Sequence, residues 1–569
     1  MRKKIILSLA IFLLSLNILA QKTADNVSTS SVSPHIVKVA CIGNSVTFGY
    51  GHENPAETSY PSQLAKMLCD NYEVGNFGKS GATLLRKGHR PYNEQIEYLK
   101  SLEFIPDIAI IHLGLNDTDP RNWKYYKREF IADYVALIED IEKVNPDVEI
   151  YICRMSPIFH WHHRFLKGTR DWYWEIQETI ENIAENIAEV KIIDLQEILY
   201  HRPDLMPDAL HPNPEGAKLI AQRVYSAITG DFGELSVPAI YSDNMVIQHD
   251  KPFVVKGTAN AETEISVRFN KKTIVTQASD DGKWEVVFDA PKVDEKKHKL
   301  VIKTKDKILS FKNIVVGEVV LCSGNYMSTD NGQQTTDIDH DFMAKDKSQK
   351  AKGNDIRLYY MKAPDASVIT DTNAWKHPLE KAILNSHGIF FPTSWEEFNE
   401  EDIDFYSETL YSIGAKILDS LQIPIGLIYN AVEGAPIESF IDRKTLEWHP
   451  TLINVLYEWR NADNTKDCLH PYEPSYLYQC GIKPLGSFQI NSVLWFESDY
   501  GDDYDHGDDY DHGDDYDHGD DYDHGDDYGD DYGDDYDLDS MKESALIESW
   551  RKVWGEFFFK KISINKDED

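Results

Sequence analysis

Strand-like and helix-like patterns alternate along the first 230 residues of this chain. Buried strands are predicted from short apolar runs at 36–42, 73–77, 107–113, 148–153 and 190–194. Helices are predicted for the amphipathic stretches between them, chiefly 62–70, 127–143 and 172–188. Strands that are apolar on both faces and alternate with helices indicate a parallel sheet covered on both sides. We therefore expect residues 34–230 to fold as one doubly wound α/β domain.

The pattern changes after this first domain. Residues 235–312 alternate apolar and polar side chains with a period of two and carry turn signals such as Asp280-Asp281-Gly282. This combination predicts a small antiparallel β-domain. Strand-like segments such as 317–324 then return beside a helical stretch at 403–421, so we expect a second α/β module over 313–569.

An acidic repeat interrupts the second module. Residues 501–536 read GDDYDH four times and then GDDY three times. Residues 499–539 hold 21 Asp and no Lys or Arg, which leaves −17 of the formal charge of −38 for the rest of the chain. We predict an acidic low-complexity insertion over 499–539, disordered and only loosely associated with cations. The acidic balance also argues against nucleic acid as a partner.

The N-terminus has the features of an export signal. Arg2, Lys3 and Lys4 precede an apolar run over 5–16, and a small residue, Ala20, precedes Gln21. The run is too short to span a bilayer. We expect residues 1–20 to be a signal peptide and the mature chain to be periplasmic or secreted, without a membrane span. Six cysteines in 569 residues do not form a disulfide framework, although Cys468 and Cys480 lie in a loop-like stretch where pairing is an open question.

Polar or glycine residues follow several of the predicted strands of the first domain. Ser45 follows the first strand, Gly81 the second and Asn116 the third, while Asp208 and His211 come just before the last helix. Because ligands of an open parallel sheet bind at the carboxyl ends of its strands, we expect these residues to converge at one edge.

These five residues have the chemistry that acyl transfer requires. Ser45 is a weak nucleophile until a base accepts its proton, and His211 is the candidate base. Asp208 is placed to hold the imidazole in the correct tautomer. The backbone N–H groups of Ser45 and Gly81 and the side-chain amide of Asn116 are candidate donors to an oxyanion. Each residue alone also fits a turn, a cap or a surface position, but the combination favours a serine hydrolase.

These blocks resemble the SGNH (GDSL-type) hydrolase family over about 195 residues, with Ser45, Gly81, Asn116 and His211 at the positions of its four blocks and Asp208 in its Asp-x-x-His block. The resemblance implies a serine esterase on a doubly wound parallel sheet. Asn44 stands where the family motif usually has Asp, so we expect altered local hydrogen bonding rather than lost activity.

The later part of the chain resembles the sialate O-acetylesterase family at 238–252, 317–324, 423–441 and 493–498. The arrangement as a whole is similar to two-module bacterial sialate O-acetylesterases. The family's nucleophile is missing here, because Ser323-Gly324 continues into Asn325-Tyr326-Met327. The family pattern resumes at 546–555, and no Asp-x-x-His block lies between that stretch and Asp569. Ser323 or Ser328 could be a displaced nucleophile, but no base is evident for either, so we expect a degenerate module.

The sequence HWHH at 160–163 raises the question of a metal. His160 and His162 could both ligate, but no carboxylate or cysteine nearby completes a set, so we predict no metal and no cofactor. We expect this segment to lie near the pocket mouth. There Trp161, Arg164 and Arg170 are predicted to stack on a sugar or to pair with a substrate carboxylate.

The resemblance implies removal of O-acetyl groups from sialic acids or sialylated glycans. Two alternatives stay open: an acetylesterase for another glycan, such as a plant polysaccharide, and a non-catalytic glycan-binding protein. The sequence leaves open the acetylated sugar, the hydroxyl position and the oligomeric state.

Overall fold

The computed structural model describes residues 35–325, 356–371, 377–398, 408–462, 468–498 and 535–564. The predicted export signal, Ser328 and repeat residues 501–534 lie outside the described residues. Residues 535–539, predicted as the end of the acidic insertion, instead begin a helix.

The first domain is built on a five-stranded parallel sheet in the order β2-β1-β3-β4-β5. Its strands are β1 (Val37–Gly43), β2 (Tyr72–Gly78), β3 (Ile108–His112), β4 (Glu149–Arg154) and β5 (Lys191–Asp194). Each predicted strand is present within about two residues of its expected bounds, and the doubly wound fold is confirmed.

Helices connect these strands and cover the sheet. They are α1 (Ser45–Phe48), α2 (Pro55–Thr58), α3 (Tyr60–Leu68), α4 (Ile96–Glu103), α5 (Trp123–Tyr126), α6 (Phe130–Val144), α7 (Thr169–Asn186) and α8 (Pro214–Thr229). The longer helices are amphipathic. In α6, for example, Phe130, Tyr134, Leu137, Ile138 and Ile141 form the buried face.

The strand that precedes Ser45 ends level with its two neighbours. Gly43 is in register with Gly78 of β2 and with His112 of β3. A Cβ on Gly43 would lie 2.1 Å from Thr47 Oγ1 and 2.8 Å from the His112 carbonyl oxygen. Glycine at this position therefore lets α1 pack tightly against the strand ends, which brings Ser45 to the carboxyl edge of the sheet.

The middle of the chain forms the expected antiparallel strands. The short strand β6 (Val246–Gln248) comes first and pairs in parallel with residues 315–317. The antiparallel strands are β7 (Phe253–Thr258), β8 (Glu264–Phe269), β9 (Lys272–Gln277), β10 (Lys283–Phe288) and β11 (Asp294–Lys303). Strands β7 and β10 pair separately, whereas β9, β8 and β11 pair in series and continue onto β12 (Ile308–Gly324). Since β12 is one strand of 17 residues, the predicted boundary at 312/313 falls inside it.

The second α/β module extends the same sheet. Its parallel strands run in the order β13-β15-β12-β16-β17, with β14 antiparallel at the edge. They are β13 (Ile356–Tyr360), β14 (Trp395–Glu397), β15 (Ile425–Tyr429), β16 (Ser492–Ser498) and β17 (Phe558–Ile564). The helices are α9 (Ala366–Ile369), α10 (Pro378–Asn385), α11 (Glu408–Leu421), α12 (Arg443–Trp448), α13 (Ile453–Asn461) and α14 (Asp535–Trp554).

Two questions raised by the sequence are answered within the described residues. No disulfide joins Cys468 and Cys480 there, and the Cys480 thiol donates to the Tyr476 carbonyl oxygen at 3.4 Å. None of the helices in the described ranges is long and apolar enough to cross a membrane.

Candidate active site

Three of the predicted residues form a continuous hydrogen-bonded chain at the carboxyl edge of the first sheet. The Ser45 hydroxyl lies 2.8 Å from His211 Nε2, and His211 Nδ1 lies 2.7 Å from Asp208 Oδ2. A carboxylate accepts from Nδ1–H, so the free electron pair of Nε2 faces the serine hydroxyl. This tautomer is the one that removes a proton from serine.

The Asp208 carboxylate is held in its charged form. Burial alone would raise its pKa, but hydrogen bonds from the His211 side chain and from the backbone N–H groups of His211 and Leu210 outweigh burial and lower the pKa to about 2. Asp208 is therefore ionised throughout the neutral range, where it orients His211 and would stabilise its protonated form.

The candidate oxyanion donors lie on the neighbouring strand ends. Gly81 has a φ of +77°, a left-handed conformation that favours glycine, and its N–H has no protein acceptor within the described residues. The Ser45 N–H is likewise without an acceptor in the described chain. Asn116 Nδ2 donates to the Ala82 carbonyl oxygen at 2.9 Å, which leaves its second N–H for a ligand.

A buried carboxyl group connects the Asn116 turn to the Gly81 loop. Asp117 Oδ1 accepts from the Leu85 N–H at 2.8 Å and Oδ2 accepts from the Leu84 N–H at 3.0 Å. Asp117 is completely buried. These two bonds fix the loop that carries Gly81 relative to the turn that carries Asn116, so Asp117 is a positioning residue that sequence reasoning did not identify.

Three further side chains that the sequence did not single out lie beside the candidate catalytic residues. The Tyr50 ring lies 4.6 Å from the His211 ring and is about half exposed. His52 Nε2 contacts the Pro212 carbonyl oxygen at 2.9 Å, next to His211. The exposed Arg90 lies beside Gly81, and its guanidinium donates to the Ser80 carbonyl oxygen at 2.9 Å. The sequence could have indicated Tyr50 only through its proximity to Ser45, which lies five residues earlier.

The residues predicted to bind sugar are already engaged by other protein groups. The Arg164 guanidinium pairs with Asp119 at 2.5 Å. Arg170 donates to the Glu447 carbonyl oxygen at 2.9 Å and lies over the Trp448 ring. The Trp161 ring stacks on Phe159 with centroids 4.8 Å apart, and the Arg460 guanidinium lies 4.5 Å from its centroid. The contacts with Glu447, Trp448 and Arg460 join the first domain to the second module. Sugar binding by Trp161, Arg164 and Arg170 stays a prediction.

The first histidine of the HWHH segment, His160, also has protein partners. His160 Nε2 faces the Leu456 carbonyl oxygen at 3.0 Å and Nδ1 faces Arg443 Nη2 at 3.2 Å. Burial, aided by Arg443, lowers the pKa of His160 to about 2, so the ring is neutral. With Nε2–H donating and Nδ1 accepting, neither nitrogen of His160 has a free electron pair for a metal.

In the second module, the segment where the sialate O-acetylesterase family has its nucleophile is only partly within the described residues. Ser323 lies near the carboxyl end of β12 and is fully buried, and its hydroxyl has no hydrogen-bond partner among the described residues. Tyr326 and Met327 lie outside those residues. The absence of catalysis in this module stays a prediction.

Residues 41–219 match the GDSL-like Lipase/Acylhydrolase family. This segment extends from β1 into α8 and includes all five candidate catalytic residues. The first domain is a GDSL-like hydrolase domain. The resemblance of its blocks to the SGNH (GDSL-type) family is thereby confirmed.

Known relatives of the chain that carries this GDSL-like domain include two kinds of esterase. An acetylxylan esterase from Xylanibacter ruminicola is 34% identical over 215 residues, which cover 34% of this chain and 43% of that protein. The sialate O-acetylesterase of Homo sapiens is 22% identical over 280 residues, which cover 46% of this chain and 48% of that protein. The chain thus spans about half the length of the curated relatives it matches. Among solved structures, a carbohydrate acetylesterase from Xanthomonas citri aligns with 57% of this chain and 59% of its own, at 18% identity and a TM-score of 0.37.

Proposed function

We propose that this chain is a serine esterase that removes O-acetyl groups from carbohydrates. The observation that carries the proposal is the hydrogen-bonded chain from Ser45 through His211 to Asp208, with separations of 2.8 and 2.7 Å. The site lies at the carboxyl ends of parallel strands, where open α/β sheets bind their ligands. The names of the relatives support an acetylated carbohydrate as the substrate class.

Hydrolysis proceeds in two steps. Ser45 Oγ attacks the acetyl carbonyl carbon as His211 Nε2 takes the serine proton, and the N–H groups of Ser45, Gly81 and Asn116 receive the oxyanion. Collapse of this intermediate breaks the bond to the sugar oxygen, which leaves with the proton from His211. A water molecule then attacks acetyl-Ser45, gives its proton to His211 and releases acetate, and Ser45 recovers its proton.

Among acetylated carbohydrates, we favour a plant polysaccharide such as acetylated xylan over sialic acid. The acetylxylan esterase relative is the more similar of the two kinds, at 34% against 22% identity. In addition, the arginines predicted to pair with a sialate carboxylate are bound to Asp119 and to the Glu447 backbone. Sialate O-acetylesterase activity is the alternative, and the exposed Arg90 beside Gly81 is the guanidinium that would then meet the carboxylate.

We also propose that the chain acts outside the cytoplasm. This proposal depends on the sequence of residues 1–20, with three basic residues followed by an apolar run. Fusion of residues 1–34 to a reporter enzyme that is active only after export tests it. Retention of the reporter in the cytoplasm would contradict it.

The experiment for the main proposal is acetate release by the purified full chain. Its substrates are a chromogenic acetyl ester, acetylated xylan and a panel of O-acetylated sialic acids. We expect release from the chromogenic ester and a higher kcat/KM on xylan than on the sialic acids. A folded protein that releases no acetate from any of the three would refute the esterase and favour a glycan-binding role.

A further inference from the structure

The second module inserts a buried arginine against the first domain. Arg443, the first residue of α12, is 3% exposed. Its Nε donates to Glu447 Oε1 at 2.9 Å, one turn later in the same helix. Its Nη2 crosses to the first domain and donates to His160 Nδ1 at 3.2 Å. Such a buried charge has to be satisfied by its surroundings, and here one of its partners belongs to the other module.

Aromatic side chains of the first domain enclose this ion pair. The Arg443 guanidinium carbon lies 4.4 Å from the centroid of the Phe159 ring and 5.8 Å from that of Tyr200. The Tyr200 hydroxyl donates to Glu447 Oε2 at 2.7 Å. Both charged groups of the pair thus contact aromatic side chains of the first domain.

The loop that follows β4 is also fixed through its backbone. We call residues 155–168 the β4 loop. Tyr457 donates its hydroxyl to the His160 carbonyl oxygen at 2.8 Å, and His160 Nε2–H donates to the Leu456 carbonyl oxygen at 3.0 Å. Together with the Arg443 contact, three hydrogen bonds from the second module hold the β4 loop at His160.

The β4 loop in turn supports the turn that carries Asp208 and His211. The Phe159 N–H donates to the Ala209 carbonyl oxygen at 2.9 Å. Ala209 lies between Asp208 and His211 and has a φ of +68°, in the left-handed region that residues with a Cβ seldom occupy. A backbone conformation of this kind persists where the surrounding structure holds it.

We propose that Arg443 is a positioning residue for the turn from Asp208 to His211, and that the second module supports the active site of the first. The proposal rests on the proposed esterase function of Ser45. Arg443 fixes Phe159 and His160, and Phe159 fixes Ala209, so the separations between Ser45, His211 and Asp208 depend on a contact made by the other module. A misplacement of about 1 Å in such a site lowers the rate by about 10²-fold.

The test uses the full chain with the double substitution Arg443→Met and Glu447→Gln. Removing both charges avoids leaving either member of the Arg443–Glu447 pair unpaired, and the new amide oxygen still accepts from Tyr200, which favours folding. The single substitution Arg443→Lys keeps the charge but lacks the planar fork that reaches both Glu447 and His160. Arg551→Met, which changes an exposed arginine of the same module, is the matched control.

The readout is kcat and KM on a chromogenic acetyl ester, with kcat expressed per site titrated by a fluorophosphonate. We expect the double variant to lose roughly 10- to 100-fold in kcat with KM within about twofold of the wild type. Arg443→Lys should lose less, and Arg551→Met should match the wild type. Because Arg443 is buried, a small ester does not contact it in the folded chain. Since unfolded molecules are not titrated, loss of fold alone would not give this pattern.

Each remaining outcome decides the question. A folded double variant with wild-type kcat per titrated site would overturn the proposal. If the double variant does not fold, Arg443→Lys decides: a severalfold fall in kcat per site supports the proposal, and an unchanged kcat overturns it. A wild-type chain that neither hydrolyses the ester nor reacts with the fluorophosphonate would instead refute the esterase function itself.

Discussion

Replacing the buried Asp117 tests how the Gly81 loop is held. Asp117→Ala removes the acceptor of two buried backbone N–H groups, those of Leu84 and Leu85. An unsatisfied buried donor costs about 1–3 kcal/mol, so the substitution should destabilise the first domain by about 2–6 kcal/mol. Asp117→Asn retains one acceptor oxygen, so its loss of unfolding free energy should be about half that of Asp117→Ala. We also expect kcat to fall, because the loop carries an oxyanion donor.

Asp133→Ala is the matched control for this experiment. Asp133 accepts from the N–H of Arg86, the residue directly after Leu85, at 2.8 Å, but water can reach this site. Its loss should cost less than about 1 kcal/mol. A domain of this size changes its melting midpoint by about 2–4 °C per kcal/mol, so differential scanning calorimetry separates the two cases. An Asp117→Ala midpoint no lower than that of Asp133→Ala would refute the reasoning.

The same carboxyl group predicts a pH dependence. Burial raises the pKa of Asp117 to about 7, despite hydrogen bonds from the Leu85 and Leu84 N–H groups that lower it. The folded chain therefore holds the proton more tightly than the unfolded chain, whose value is near 4. The stability that this provides is complete below about pH 4 and is lost as the pH rises through 7. The difference in melting midpoint between the wild type and Asp117→Asn should therefore shrink from pH 4 to pH 8. A constant difference would contradict a raised pKa for Asp117.

Three further predictions concern the active site and the acidic repeat. Asn116→Ala should lower kcat on a chromogenic ester by about 10²–10³-fold with a small change in KM, as for loss of one oxyanion donor, and an unchanged kcat would remove Asn116 from the site. Tyr50→Ala should raise KM on acetylated polysaccharide severalfold and change the kinetics on the small ester little. The reason is that the half-exposed ring beside His211 offers a stacking surface for a sugar. Equal effects on both substrates would contradict this role. Deleting residues 500–536 should leave kcat unchanged at low and physiological salt. Charge effects fade over a Debye length of about 8 Å at physiological salt, and at low salt repulsion of an acidic glycan would change KM rather than kcat. A large fall in kcat at both salts would show coupling to the active site.

The sequence was sufficient to predict the first domain and the convergence of Ser45, His211 and Asp208, because both depend on local patterns. Apolar strands alternate with amphipathic helices, and each candidate residue lies just after a strand or just before a helix. The partners of Trp161, Arg164 and Arg170 were not predictable in this way. They are engaged by residues such as Asp119, Glu447 and Arg460, up to about 300 positions away, and no local pattern encodes such contacts.

The β-domain illustrates a second limit of prediction from sequence. Period-two alternation correctly indicated antiparallel strands, but it did not show that β12 continues for 17 residues into the next module. The change in pattern near residue 313 reflects a change in what covers the strand, since burial alternates in its first half and is continuous in its second. In the sequence pattern, a change of burial along a single strand therefore looks the same as a domain boundary.

The most direct test of the account is the role of Ser45. We expect a fluorophosphonate to add one covalent group to the full chain, located by peptide mass spectrometry on Ser45. We expect Ser45→Ala to fold like the wild type and to lose kcat on a chromogenic acetyl ester by about 10⁴-fold or more. Labelling of another residue, or substantial esterase activity in a folded Ser45→Ala variant, would contradict the assignment of the nucleophile.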